Sequence, residues 1–150
     1  MMMSIFSVEA LLVVAGAGQL LAQDSPGARY GHELVFDEAR GTTLLFGGFG
    51  PDGEPKGDTW GWNGKSWQLL ATAGPSPRRW PAVAYDSRRK IVVLFGGRDG
   101  VGRSGASLAD TWLWNGAEWR ESDATGPRPS GRDHHRAVYD RRRDRVVLFG

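Results

Sequence analysis

The feature that most constrains this 150-residue chain is an apolar run that stops on two glycines. It reads Ile91-Val92-Val93-Leu94-Phe95-Gly96-Gly97, with an earlier copy at Thr43-Leu44-Leu45-Phe46-Gly47-Gly48 and a third at Val146-Val147-Leu148-Phe149-Gly150. The three phenylalanines fall 49 and 54 residues apart. Recurrence at about 50 residues signals a repeat architecture, in which one unit cannot bury its apolar face alone and must stack on a neighbour.

The recurring unit is wider than that run. Ahead of each copy stands an aromatic-Asp pair, Phe36-Asp37, Tyr85-Asp86 and Tyr139-Asp140, with Arg29, Arg78 and Arg132 eight residues before each aspartate. Behind the first two glycine pairs comes Asp-Thr-Trp-x-Trp-Asn-Gly-x-x-Trp, from Asp58 to Trp67 and from Asp110 to Trp119. In the first unit this pattern predicts strands over 32–36, 43–46, 59–62 and 66–70. Asn63-Gly64 is the hairpin signal between the last two, and Pro51-Asp52-Gly53 marks a loop between the second and third. The second strand is apolar at nearly every position, which implies cover on both faces.

Composition narrows the function classes. Cysteine is absent, which removes disulfides, zinc-thiolate sites and a thiol nucleophile. The formal charge is only +2, and acidic residues interleave with the arginines, so no basic stripe suggests nucleic acid. Residues 1–23 differ from the rest: they hold a small or apolar stretch over 10–18, shorter than a membrane span needs. They read as a signal peptide lacking a basic start, or as a disordered N-terminus, and the first reading implies a secreted or periplasmic protein.

Four antiparallel strands per unit, stacked radially, describe a β-propeller. The glycine pair after an apolar strand, followed by Trp62 or Trp114 and then Trp67 or Trp119, resembles the kelch repeat. The Arg…His…aromatic-Asp lead-in is similar to kelch repeats of bacterial secreted proteins, and the whole to the central propeller of galactose oxidase. The resemblance covers residues 29–150 and implies an all-β propeller fragment. It would consist of two complete four-stranded blades, about 29–71 and 78–121, and the first hairpin of a third, 132–150, with further blades expected from the rest of a longer chain. Some kelch-type propellers host a copper radical oxidase, but that centre depends on a Cys-linked tyrosine that this chain cannot form. Another kelch-like branch isomerises sialic acid without a metal.

The meander places the arginine-rich turns (87–90 and 141–144) on one face with the Asn-Gly hairpins. The longer segments, 49–57, 71–79, 98–109 and 121–131, share the other, where binding usually resides. The six tryptophans of the third-fourth hairpins recur with the unit and are assigned to packing. Asp58 and Asp110 are assigned to loop backbone groups, and His134-His135 is not read as a metal site because adjacent strand residues face opposite ways. Arg78, Arg79 and Trp80 in one connection, with Arg132, His134 and Arg136 in the next, gather cations and an aromatic where the chain enters the inner strand. These six are the candidate ligand-binding residues.

No catalytic set, cofactor or metal ligand is assigned. The expected function is a non-catalytic binding or scaffold propeller for a protein or an anionic glycan. The alternatives are a metal-independent carbohydrate-active enzyme or a purely structural surface protein. Open apolar sheet faces at the ends of the arc predict self-association of residues 24–150; a monodisperse monomer in sedimentation would contradict it.

Overall fold

The computed structural model describes residues 25–101 and 105–150, so the predicted leader lies outside the described residues. All the regular structure described is β. The first sheet holds β1 (Glu33–Asp37), β2 (Thr42–Phe46), β3 (Thr59–Trp62) and β4 (Trp67–Ala71). The second holds β5 (Ala82–Asp86), β6 (Ile91–Phe95), β7 (Thr111–Trp114) and β8 (Trp119–Glu121), and β9 (Arg136–Asp140) pairs with β10 (Arg145–Phe149). Strand order follows the sequence in both four-stranded sheets, and all their pairings are antiparallel. The predicted strands of the first unit lie within one residue of those found. These are two propeller-type blades and a hairpin, with no closed ring among the described residues.

The register makes the three units superimpose in their pairings. Phe46 sits opposite Glu33 on one side and Thr59 on the other. Phe95 takes the same place between Ala82 and Thr111, and Phe149 lies opposite Arg136. The first strands β1, β5 and β9 line one edge of the stack, with β5 in contact with both others.

The core lies between the first and second blades. Leu44 and Phe46 meet Val92, Leu94, Trp114 and Trp119, with Val35, Ala71, Val83, Tyr85 and Trp112 packed around them. Trp119 meets Phe46 edge-on at 5.5 Å and donates its indole N–H to the buried Thr59 hydroxyl at 2.8 Å. A buried indole is tolerated because its polar atom finds a partner. In the first blade the counterparts Trp62 and Trp67, 5.6 Å apart, are only half-buried, because among the described residues no sheet covers that face. Leu34 and Phe36 on the first blade, and Val138, Val147 and Phe149 on the hairpin, are exposed apolar residues.

The glycine pairs have a specific cause. Gly47 and Gly96 have φ of 70° and 63°, and a Cβ on either would lie 2.6 Å from a backbone carbonyl, of Arg78 or Arg132 respectively. The second glycine donates its N–H to that same carbonyl, Gly48 to Arg78 and Gly97 to Arg132, each at 2.9 Å. The pair is therefore where each unit presses its backbone against the lead-in of the next.

At the opposite end, each aromatic-Asp pair closes its own turn. Asp86 Oδ1 accepts the N–H groups of Arg88 and Arg89, and Oδ2 takes the Arg89 guanidinium at 2.7 Å. Asp37 with Arg40, and Asp140 with Arg143, repeat the clasp. From there Arg40 reaches the Lys90 and Asn115 carbonyls of the second blade, and Arg89 reaches Asp144 of the hairpin. Turns and Asn-Gly hairpins thus share one face, as the meander predicts.

Truncating Trp114, 1% exposed, removes the largest fully buried side chain, and we expect Trp114→Ala to destabilise by about 3–5 kcal/mol in urea unfolding. Trp62→Ala, the equivalent change on the uncovered face, is expected to destabilise clearly less.

Candidate functional site

The loop side is organised by arginines held between blades. Arg78 is fully buried. Its guanidinium makes a bidentate pair with Asp110 at 2.6 and 2.8 Å, and also donates to the Gly96 carbonyl at 3.0 Å and to the Ser76 carbonyl and hydroxyl. The Trp112 indole N–H donates to the same Asp110 carboxylate at 2.7 Å. Arg29, Asp58, Trp60 and the Gly47 carbonyl repeat the arrangement in the first unit. Burial alone would raise the Asp58 and Asp110 carboxyls, but hydrogen bonds from the arginine and the indole hold both below the ordinary range. These aspartates therefore anchor arginines rather than the loop backbone groups expected from sequence.

On this scaffold the lead-in residues form a row at the edge where the first strands gather. Gly31, Trp80 and His134 hold the same place in the three units, and all adopt a left-handed backbone, with φ of 67°, 53° and 59°. They are tied in series: the Trp80 N–H donates to the Gly31 carbonyl at 2.7 Å and the His134 N–H to the Trp80 carbonyl at 3.3 Å. Glycine accepts this conformation at no steric cost, whereas a tryptophan or histidine gives up about 1–2 kcal/mol there. The side chains use the position. The His134 ring stacks on Trp80 with centroids 3.8 Å apart and planes 29° apart. The indole also lies over Gly31, where a Cβ would be 2.8 Å from its Nε1.

The residue before each of these completes the surface. Tyr30, 53% exposed, packs on Phe49 at 5.4 Å and on Trp80 at 6.3 Å. The Arg79 guanidinium lies over the Phe49 and Trp80 rings, 4.8 and 4.5 Å from their centroids. Asp133 accepts the Ser107 hydroxyl at 2.6 Å, meets His134 Nδ1 at 2.5 Å and pairs with Arg98 at 3.5 Å. Burial would raise this carboxyl, but the Ser107 and His134 hydrogen bonds hold it low. Beside the row, Tyr30, Phe49, Gly50 and Pro51 line a shallow groove of about 170 Å³.

Of the six candidates, Arg79, Trp80 and His134 come together in this row. Arg136 stands next to it at the start of β9 and reaches Glu33 on β1 at 3.0 Å. Arg78 and Arg132 turn the other way, toward the Gly96 and Gly150 carbonyls. Sequence reasoning did not single out Tyr30, Phe49 or Asp133. The signal was present, because Tyr30 and Asp133 are the counterparts of Arg79, and Phe49 follows its glycine pair as Arg98 does.

The histidine behind the row is structural. His135 is fully buried, meets Phe95 edge-on at 5.6 Å, and neither ring nitrogen reaches a hydrogen-bond partner. Among the described residues no group of three metal-ligating side chains is present. The His134 ring, 58% exposed, tops the row; Arg79, only 4% exposed, lies beneath the rings, and the exposed cation beside them is Arg136, paired with Glu33.

No family model matches the chain, and no curated protein matches it at a significant level.

Two measurements test this framework. Asp110→Ala leaves the Arg78 charge buried without its counter-ion, and we expect a loss of about 3–5 kcal/mol in denaturant unfolding. The second is pH dependence. Burial, with Arg132 and Arg136 adding to it and Asp133 opposing, holds the His135 imidazole below its ordinary 6.5. Burial and the Arg29 charge lower His32 likewise. As pH falls through about 6.5 the unfolded chain takes up protons that the folded chain refuses, so stability must fall. The low carboxyls of Asp58 and Asp110 extend that loss below about pH 4. The melting temperature is expected to drop over both ranges, and His135→Leu to flatten the upper one.

Proposed function

We propose that the chain is a kelch-type propeller module that works by binding, and that it recognises a carboxylate-bearing ligand, an anionic glycan or an acidic protein loop, at the Tyr30–Arg79–Trp80–His134 row. The observation that carries this reading is the stack of Trp80 on His134. Both bulky residues occupy a left-handed position that glycine fills in the first unit, and strain of this kind is retained where a side chain has work to do. The exposed His134 ring caps the stack, with the exposed Arg136 guanidinium alongside and the buried Arg79 beneath Trp80. Such a surface suits a sugar ring or an acidic loop: the rings give apolar contact and the exposed Arg136 gives directional carboxylate recognition.

The reading favours binding over catalysis because the row holds rings and charges but no nucleophile with a base and an oxyanion-stabilising group. Variation from unit to unit also fits it: three equivalent positions carry Gly31, Trp80 and His134 on one backbone geometry.

The test is a double substitution to the residue the first unit already uses. Trp80→Gly with His134→Gly removes both rings and relieves the left-handed strain, so the melting temperature should hold. Binding to an array of carboxylated glycans and acidic peptides should weaken about tenfold or more, in line with the loss of two ring contacts. Arg142→Ala, on the turn face, is the control and should leave binding intact. Equal binding of acidic and neutral probes, or equal losses from the control and the double variant, would refute the assignment.

A further inference from the structure

The exposed cation beside the Trp80–His134 row is already engaged. Arg136 Nη1 donates to Glu33 Oε1 at 3.0 Å and, less closely, to the His135 carbonyl at 3.3 Å. Its Nη2 and Nε reach no acceptor among the described residues. The Arg136 side chain is 76% exposed and that of Glu33 21%. The pair joins residues 103 positions apart, the first of β9 and the first of β1, with β5 lying against both strands.

This pair is no part of the repeat. Glu33, Ala82 and Arg136 hold one place in the three units, opposite Phe46, Phe95 and Phe149. The lead-in arginine is kept in every unit, whereas here an acid, a methyl group and a base follow in turn. No further copy of the unit therefore specifies a partner for either residue. Nor does the arc need the pair to hold its first and third units, because Arg141 and Glu38 tie the same two units at the turn end. The contact is also loose. Arg78 grips Asp110 with two nitrogens, but Arg136 gives Glu33 a single bond. Burial pushes the Glu33 carboxyl up, and the charge and hydrogen bond of Arg136 oppose that without cancelling it. A single-bond pair at the surface exchanges its partner readily.

We propose that Glu33 is an internal competitor for the ligand carboxylate: it occupies Arg136 in the free protein and sets the threshold that an acidic ligand must exceed. This rests on the reading of the row as a carboxylate-binding surface. A carboxylate that meets the guanidinium end-on takes Nη1 from Glu33 and adds Nη2, two parallel hydrogen bonds in place of one. A carboxylate that meets it side-on finds a charge that Glu33 has already partly neutralised. On either route Glu33 weakens the acidic ligand's hold. A neutral hydroxyl or amide, with no charge to offer, does not displace it. Glu33 is thus a specificity-determining residue of the row, although it need not touch the ligand.

The probes are fluorescein-labelled oligogalacturonate, its methyl ester and an oligoglutamate peptide, each titrated into the full chain and followed by anisotropy. Glu33→Gln keeps the shape of the side chain and removes its charge. The variant should bind an acidic probe about two- to fivefold more tightly, the range of a surface ion pair, and leave the ester unchanged. A gain on either acidic probe supports the proposal, and the one that responds identifies glycan or peptide as the source of the carboxylate. Arg136→Gln should weaken the same probe about tenfold, and in that background Glu33→Gln should give no gain. An equal gain with and without Arg136 would reduce the effect to like-charge repulsion and overturn the proposal. Unchanged or weaker binding by Glu33→Gln, with a lowered melting temperature or without one, would make the pair a structural brace and overturn it too. Both of these results leave the row's own reading standing as long as the unaltered chain prefers the acidic probes to the ester. An unaltered chain that binds acid and ester alike, or binds neither, overturns the row and its competitor together.

Discussion

A buried guanidinium with every donor used is the interaction on which the rest of the structure depends. Moving a charge out of water is unfavourable by several kcal/mol unless a counter-ion and hydrogen bonds replace the lost solvation. Arg78 meets both conditions: Asp110 supplies the charge, and the Gly96 carbonyl and Ser76 supply the remaining acceptors. In doing so it joins three segments distant in sequence: the lead-in to β5, the end of β6 and the start of β7. Removing any one leaves a buried polar group without a partner, so the three are specified together. Arg29 does the same for the first unit, with Pro26 where the second has Ser76.

That node explains why the glycine pair cannot vary. The lead-in that carries Arg78 crosses directly over Gly47 and Gly48, close enough that any Cβ on Gly47 would meet its carbonyl at 2.6 Å. At the other end of the blades a second network pins the turns. Asp144 of the hairpin takes hydrogen bonds from Arg89, Tyr139 and Arg88, and these pull its carboxyl down to about 2. Donating to that carboxylate pushes the Tyr139 phenol up to about 12. The apolar core between Leu44, Phe46, Leu94 and Trp114 lies between these two polar belts. The belts fix how the blades are turned relative to one another, and the core supplies most of the burial.

The strands were legible in the sequence because two periodic signals agreed. The apolar run before each glycine pair set the second strand, and Asn-Gly set the hairpin between third and fourth. The partners of the polar residues were less legible. Asp58 and Asp110 looked like local loop caps, since a short side chain before Thr-Trp usually finds nearby backbone. Their actual partners, Arg29 and Arg78, lie 29 and 32 residues away. The clue was that arginine and aspartate recur together, and a recurring charge with no local partner must find a distant one. The Asp-x-x-Arg spacing is visible at Asp37, Asp86 and Asp140, but the sequence reading stopped at arginine-rich turns over 87–90 and 141–144. At the candidate site the kinship of Gly31, Trp80 and His134 could be counted from the units. Their left-handed backbone and the 3.8 Å stack could not, because both depend on how one lead-in sits against the next.

The row and the node divide the work of the same short segments. In each lead-in the arginine turns toward a backbone carbonyl after its unit's second strand, and in the first two units it also grips an aspartate. One residue further on, the contact with the preceding blade keeps its geometry and changes its chemistry. Tyr30 and Phe49, and likewise Arg79 and Arg98, bridge through the backbone in the same way. Across the blade junctions, however, Arg79 lies over Phe49 as a cation on a ring, whereas Asp133 meets Arg98 as an ion pair. A position whose backbone is held by the node needs nothing from its own side chain to stay folded. Gly31 shows that even a hydrogen atom suffices there. Trp80 and His134 are therefore not required by the backbone geometry, just as Lys90 and Asp144 take the left-handed place that Gly41 holds in the first turn. That separation, a fixed arginine with a variable ring beside it, is what lets a repeating scaffold carry a surface that does not repeat.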